Sequence, residues 1–369
     1  MKRWIDHLGR EVDIKDEPQR IISLCPSLTE TLFALGLQEQ VVGRTRFCIH
    51  PAPQVLLKQN VGGTKQVHDE VIDQLQPDVI IAEKEENTAQ MISELEKKYP
   101  VYVINVETVE MALQAIVDLG AITGREMQGI ALAKRIEQTL TQAKIEGGLR
   151  CAYLIWENPY MVAGKNTYLS SWLSYFGWDN VCKVMNGRYP AVTLEELRLL
   201  NPQVIFLSSE PYPFSEVHRK EMQQSIPGSQ VVLIDGEISW YGVHMEQAVK
   251  EMERVRQMVQ KGEELLDLHT RETLQTALLH WNMMKTSDED DAAEDADRFQ
   301  TDFYRFIDAF STWWKATPNR TALEEEARAM PEVQWIADRL PVELWIPFEG
   351  ELRELVEGRK REGDHTEQS

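Results

Sequence analysis

The 369-residue sequence predicts an α/β protein: two parallel-sheet lobes joined by one long rigid helix, with an α-helical appendage at the C-terminal side. Three observations carry this. Apolar runs of strand length (RIISL, DVIIA, VYVINV, CAYLIW, VIFLSS, VVLID) alternate with helix-periodic segments, the pattern of a mainly parallel sheet buried on both faces. A helix–Pro–strand unit occurs twice, EVIDQLQPDVII from Glu70 and EELRLLNPQVIF from Glu195, at a constant offset of 125 that sets Leu75 on Leu200, Pro77 on Pro202 and Val79 on Val204. Repetition at that distance means a duplicated lobe rather than a solenoid, whose periods are shorter. Between the copies, residues 123–146 place Gly129, Leu132, Ile136, Leu140 and Ala143 at steps of three and four, which makes one apolar helix face. The alternative for this helix is an ordinary packing element within one domain. The repeat favours the spine.

The elements follow in order. Residues 4–14 read as a hairpin turning at Leu8-Gly9-Arg10, and 20–24 as a buried strand. The next helix opens on a Ser27/Glu30 capping box and ends at Gly36. A strand from Val41 leads to the loop 44–51, a helix 69–76, the strand 78–82, a helix 88–98 and the strand 101–106. The spine opens on a Thr123/Glu126 capping box and closes on Gly147-Gly148. The second lobe holds strands 151–156, 204–209 and 231–235 with helices near 167–177 and 244–260. Beyond Gln260 come a helix 263–284, an acidic run 287–297 read as a solvated linker, and a Phe299, Phe303, Phe306, Phe310, Trp314 stripe. A helix capped by Thr321 and Glu324 follows, and LPVELWIP (340–347) reads as a turn or docking strand. The domains expected are an N-terminal lobe 1–122, the spine 123–146, a second lobe 147–260, a helical appendage 261–355 and a disordered tail 356–369. The appendage packs on itself or on the second lobe, or else binds a protein partner.

Composition excludes several classes. A hydrophobic fraction of 43% belongs to a folded chain, and a net charge of -21 opposes both nucleic acid and anionic lipid. No apolar run reaches the ~20 residues of a membrane span. The N-terminal residues lack the apolar core of a signal peptide, so the sequence as it stands reads as cytoplasmic, or extracytoplasmic if a leader has been removed. Cys25, Cys48, Cys151 and Cys182 are far apart and form no CxxC, which suits reduced thiols.

RIISLCPSLTETLFALGLQEQVVGRTRFC and VGGTKQVHDEVIDQLQPDVIIA resemble the helical-backbone metal receptor family, the class III periplasmic binding proteins for vitamin B12 and ferric siderophores. The resemblance spans roughly residues 3–260. It implies two Rossmann-like lobes, an inter-lobe cleft that takes a bulky metal complex, and little hinge motion. It also implies one glutamate per lobe docking onto an ABC permease, at Glu70 and Glu195 here. The other reading of these acids is favourable placement at helix starts, worth ~0.3–1 kcal/mol each.

Ligands of open α/β sheets bind beyond the strand carboxyl ends. The residues expected there are Ser27, Arg44, Arg46, Phe47, His50, Glu86, Asn87, Trp156, Tyr160, Tyr189, Tyr212, Phe214, Trp240, Tyr241 and His244. The rings offer rigid area for a flat macrocycle or catecholate, and Arg44 and Arg46 suit carboxylate or phosphate. Half of the rings read equally as lobe core. Cys48, His50, His68 and His244 offer metal donors, but in no zinc spacing, so no protein-held metal or intrinsic cofactor is expected and the ligand brings its own metal. Gly62-Gly63-Thr64-Lys65 lacks the length of a phosphate loop, and neither GxSxG nor HExxH occurs, so no catalytic residue is assigned. The expectation is a non-enzymatic binding protein for a cobalamin or ferric-siderophore type complex in an ABC uptake system. Alternatives are a cytosolic corrinoid or iron-complex binder or sensor without a permease, and an enzyme acting on a metal complex.

Overall fold

A computed structural model describes residues 1–145, 147–264, 266–286, 292–317, 321 and 323–357. The chain forms two compact units. The first comprises Met1–Leu149, Met161–Pro190 and Asp235–Arg254; the second comprises Arg150–Tyr160, Ala191–Ile234 and the described residues from Val255 onward. The linear lobe boundaries of the sequence reading need correcting, because 161–190 and 235–254 belong to the first unit.

In the first unit, β1 (Lys2–Ile5) and β2 (Glu11–Ile14) form the expected hairpin, tied down where His7 meets the Asn105 carbonyl and Asp118. Its sheet runs β5 (Gln59–Asn60), β4 (Val41–Arg44), β3 (Ile21–Ser23), β6 (Val79–Glu83), β7 (Val101–Ile104), all parallel. β3, β6 and β7 are buried along their whole length, so both sheet faces are covered. The helices α1 (Pro26–Ala34), α2 (Asp69–Leu75), α3 (Ala89–Leu95), α4 (Val109–Ile122) and α5 (Glu126–Ala143) connect or cover these strands. β9 (Met161–Val162), α6 (Tyr168–Tyr175) and β10 (Trp178–Asn180) also lie in this unit.

The spine is α5, continuous over 18 residues, with Gly129, Leu132, Ile136, Leu140 and Ala143 all buried as its periodicity predicts. It packs on α4, an element the sequence reading had not separated. The approach needs glycine on both sides: a Cβ on Gly120 would lie 2.9 Å from the Gly129 Cα, and one on Gly129 3.1 Å from the Gly120 Cα. Two predicted caps are corrected. Thr123 ends α4 by donating its hydroxyl to the Leu119 carbonyl at 2.6 Å, and Arg125 precedes α5 with no side-chain cap. Ser27 lies inside α1, whose start is set by Pro26 after the extended Cys25.

The second unit has β11 (Val204–Ser208) between β8 (Leu149–Trp156) and β12 (Gln230–Ile234), parallel, with Val204 level with Cys151 and Gln230. α7 (Leu194–Leu200) precedes β11 and α8 (Glu216–Ser225) precedes β12. The duplicated unit is visible in atomic detail. α2 and α7 both end on a left-handed residue, Gln76 (φ 44°) and Asn201 (φ 46°), directly before Pro77 and Pro202. In each case an arginine entering the neighbouring strand donates to the last helix carbonyl, Arg20 to Leu75 and Arg150 to Leu200.

α9 (Met245–Glu264) carries the chain from the first unit into the second. Then follow α10 (Leu268–Thr286), α11 (Ala292–Ala316), α12 (Glu324–Arg328), α13 (Pro331–Ala337) and α14 (Val342–Glu357). The predicted stripe is their core: Phe303, Phe306, Phe310 and Trp314 are buried against Leu278, Ile336 and Phe348, with Phe299 half-buried at the edge. LPVELWIP is corrected from turn or strand to the start of α14, which carries Pro347 within it. The Thr321/Glu324 cap is corrected too, since Leu323 precedes α12 and Thr321 bonds Glu326 instead. Positions 287–291 of the acidic run and 358–369 of the predicted tail lie outside the described residues. Among the described residues no helix is long and apolar enough to cross a membrane.

Candidate functional site

The carboxyl ends of β3, β4 and β6 gather one group of polar side chains and rings in the first unit. Glu83 closes β6, buried, and its carboxylate accepts the backbone N–H groups of Glu85 (2.6 Å) and Glu86 (2.8 Å). Burial pushes it up to about 7 despite those donors. Asn87 fixes the same loop by accepting from the Glu83 N–H and donating to the Leu24 and Thr64 carbonyls. Onto this loop comes the segment 187–190. Tyr189 donates to Glu85 at 2.8 Å, and Arg188 pairs with Glu85 and, at 3.2 Å, with Glu107. Burial first, and the Glu85 charge next, hold the Tyr189 phenol well above its usual range.

Beside it runs a chain of histidine–carboxylate contacts. His50 meets Glu237 at 3.2 Å, His244 meets Glu237 at 3.7 Å, and the buried His244 meets Glu30 at 3.0 Å. Trp240 stands edge-on to His50 (5.8 Å between centroids) and tilted to His244 (5.3 Å). Trp240, Tyr241 and His244 reach this place because Gly242, at φ +78°, brings the backbone against α1: a Cβ there would lie 2.0 Å from the Thr31 hydroxyl oxygen. That oxygen accepts the Val243 N–H (3.2 Å) and donates to the Ser27 carbonyl (2.7 Å).

The second unit has its own ring cluster at the ends of β8 and β11. Trp156 meets Tyr212 edge-on at 5.6 Å, Tyr212 meets Phe214 at 4.8 Å, and Phe214 meets His218 at 5.6 Å. Tyr212 donates to Glu157 at 2.5 Å, a bond that raises its phenol above the ordinary value. Burial does the same for Tyr160, with Glu157 adding to it.

The predicted ligand residues divide by exposure. Arg46, Phe47 and Glu86 are exposed, and His50, Tyr189 and Trp240 half-buried, in the first unit; Trp156 is exposed, and Tyr160 and Tyr212 half-buried, in the second. Six lie in the interior: Ser27, Arg44, Asn87, Phe214, Tyr241 and His244 are buried. Arg44 is buried and gives its Nε to the Val55 carbonyl and its Nη1 to the Thr45 carbonyl. Tyr241 packs edge-on to Tyr168 at 5.8 Å. Cys48 is turned into the core, where the Thr29 and Thr45 hydroxyls lie 3.1 and 3.2 Å from its sulfur. Among the described residues no group of three His, Cys, Asp or Glu side chains gathers to hold a metal. Glu70 and Glu195 are exposed in the first turns of α2 and α7, equivalent positions of the repeat.

Sequence reasoning missed Glu30, Glu83, Glu157, Arg188, His218 and Glu237. Glu30 looked like half of a capping box. The rest gave no local signal, since their partners lie far along the chain.

The arrangement offers flat contact surface, imidazole and carboxylate groups; the Ser215 hydroxyl, 2.8 Å from the His218 imidazole, belongs to the capping box that opens α8. A model of the family described as "Periplasmic binding protein" matches residues 21–232. The chain is 28% identical over 195 residues to the "Vitamin B12-binding protein" of Vibrio cholerae serotype O1, covering 52% of this chain and 70% of that one. The corresponding protein of Vibrio parahaemolyticus is 29% identical over 200 residues, covering 52% and 72%. Among solved structures, the periplasmic vitamin B12 binding protein of Vibrio cholerae matches with a TM-score of 0.56 and 24% identity, over 66% of this chain and 98% of that one. The periplasmic heme-binding protein of Roseiflexus sp. RS-1 matches with a TM-score of 0.57 and 19% identity, over 65% and 98%. These two likenesses concern the fold.

Proposed function

The chain belongs to the periplasmic binding protein family, and we propose that it captures a bulky metal complex of the corrinoid, haem or ferric-siderophore type for an ABC permease outside the cytoplasm. It is a substrate-binding protein and not an enzyme. The observation that carries the ligand class is the exposed or half-exposed ring set at strand carboxyl ends: Phe47, Trp240 and Tyr189 in one unit, Trp156, Tyr160 and Tyr212 in the other. Rigid rings supply apolar contact to a planar metal complex at little entropic cost, while His50, Arg46 and Glu86 stand near for its polar edges. The relatives named for vitamin B12 support that class. The further proposal is that Glu70 and Glu195 dock on the permease, supported by their exposure and their matching places in the repeat.

Titration with cyanocobalamin, haemin and a ferric siderophore, followed by native mass spectrometry, tests this. Each of Trp240→Ala and Trp156→Ala is expected to weaken binding roughly two- to twelve-fold, from ~0.5–1.5 kcal/mol per stacked ring. Unchanged titrations in both variants remove these rings from the site. Glu70→Arg with Glu195→Arg is expected to spare ligand affinity and abolish permease docking.

A second reading is a binder that signals occupancy without a permease. It is favoured by one observation: residues 233–369 lie outside the family match, and much of that stretch forms a helical module with its own aromatic core. Permease reconstitution separates the two.

A further inference from the structure

The second unit holds a cavity of about 90 Å³ where the amino ends of β11 and β12, at Val204 and Gln230, meet α10 and the turn after α13. Its lining brings together two guanidiniums and an indole N–H. Arg339 is 6% exposed, its guanidinium lies 3.7 Å from the Trp335 ring centroid, and that group donates to the Trp335 carbonyl at 3.0 Å. Arg271 enters the same lining from α10 and gives its Nε to the Leu266 carbonyl at 3.2 Å. Trp335 lines the cavity as well, and its buried indole N–H has no acceptor within the protein.

Among the described residues no carboxylate forms an ion pair with Arg339 or Arg271. The charged groups around Arg339 are its chain neighbour Asp338, which favours its charge, and Arg219, which opposes it and is itself paired with Glu216 at 2.7 Å. Buried charges in proteins are paired as a rule, because desolvation is otherwise uncompensated. Here the surrounding side chains include the apolar Val204, Val259, Leu274 and Leu278. Leaving the buried Arg339 guanidinium without a carboxylate, with the half-buried Arg271 beside it, in a chain of net charge -21 is unexpected unless something else supplies the negative charge.

We propose that this cavity binds a small oxyanion, a phosphate or carboxylate group, held by Arg339, Arg271 and the Trp335 indole N–H. The size admits that group: about 90 Å³ is several times the ~10–15 Å³ that one water needs. Planar guanidinium forks are the side chains best matched to carboxylate and phosphate oxygens. The anion would bridge α10 and the turn after α13 to the sheet, so its binding fastens the helical module onto the second unit. The proposal is independent of the ligand chemistry at the strand carboxyl ends.

The test is calorimetric titration of the full-length protein with inorganic phosphate and, separately, with acetate, at an ionic strength held constant with chloride, alongside thermal unfolding. The expected result is saturable one-to-one binding and a higher unfolding temperature. Phosphate active alone assigns a phosphate source, and acetate active alone assigns a carboxylate source. Arg271→Gln, on a half-buried side chain, is expected to fold and to weaken binding at least about ten-fold. Arg339→Lys keeps the charge but not the fork, and is expected to weaken it as well. Absence of saturable binding by both anions, full displacement by equimolar chloride, or unchanged affinity in Arg271→Gln overturns the proposal. Should Arg339→Lys fail to fold, Arg271→Gln decides alone.

Discussion

Gly242→Ala probes the contact that brings the segment 235–254 into the first unit. Two costs follow from the geometry. The backbone at φ +78° is left-handed, which costs an L-residue roughly 1–2 kcal/mol. The new Cβ would also sit 2.0 Å from the Thr31 hydroxyl oxygen and 3.2 Å from the Ser27 carbonyl. Thr31 can yield only by giving up its bonds to Ser27 and Val243, worth about 0.5–1.5 kcal/mol each. The expected destabilisation is about 2–4 kcal/mol. Urea unfolding followed by tryptophan fluorescence and circular dichroism measures it. The cause is isolated by a double-mutant cycle with Thr31→Ala, which removes the clashing oxygen: the two changes should be less than additive by about 1 kcal/mol or more. The left-handed strain should remain. A Gly242→Ala protein within about 0.5 kcal/mol of the parent, or a fully additive cycle, would falsify the account.

Other expectations follow from single features. Glu83 titrates near 7 in the folded protein against 4.5 in the unfolded chain, so its contribution is fully present below 4.5 and is lost as pH rises through 7. Relative to wild type, Glu83→Gln should therefore gain up to roughly 3 kcal/mol between those limits and level off above them; a pH-independent difference in urea midpoints contradicts this. Arg20→Ala and Arg150→Ala should each cost about 1 kcal/mol by freeing the last carbonyls of α2 and α7, with Lys restoring part of it in the same unfolding assay. Phe310→Ala removes a fully buried ring from the helical module and should cost about 3–5 kcal/mol, read as a lower unfolding transition.

Much of the fold was legible because it rests on periodicity. Alternating strands and helices, the spine's buried face and the repeat at an offset of 125 are properties of spacing, and each agrees with the structure. Capping was less legible, since the same residue types serve competing bonds. Thr123 turns its hydroxyl back to a carbonyl four residues earlier rather than forward to an N–H, and Pro26 takes the helix start from Ser27. α8 went unseen for a different reason: of EVHRKEMQQS only Met222 and Gln223 are buried, so no apolar stripe marks it. In LPVELWIP, Pro341 stands just before α14, a position compatible with a helix start, and Pro347 is accommodated inside it, so two prolines hid a helix.

The candidate site was half legible, and the missing half is the electrostatic one. Rings and strand ends announce themselves in a sequence; partners do not. Glu237 and His50 are 187 residues apart, His244 and Glu30 are 214 apart, and Tyr189 and Glu85 are 104 apart. Each pair exists only because 161–190 and 235–254 belong to the first unit, and for 235–254 the close approach of Gly242 to the α1 hydroxyl of Thr31 is part of what brings it there. The consequence bears on ligand recognition. Trp240 is not a ring on a free loop: it follows Glu237, which His50 holds, and precedes His244, which Glu30 holds, and it packs against both imidazoles. A ring fixed in advance loses little freedom on binding and favours ligands whose flat surface matches it. If the first-unit rings take the ligand as proposed, selectivity there rests as much on the buried Glu30 and the half-buried Glu237 as on the half-buried Trp240 they hold in place.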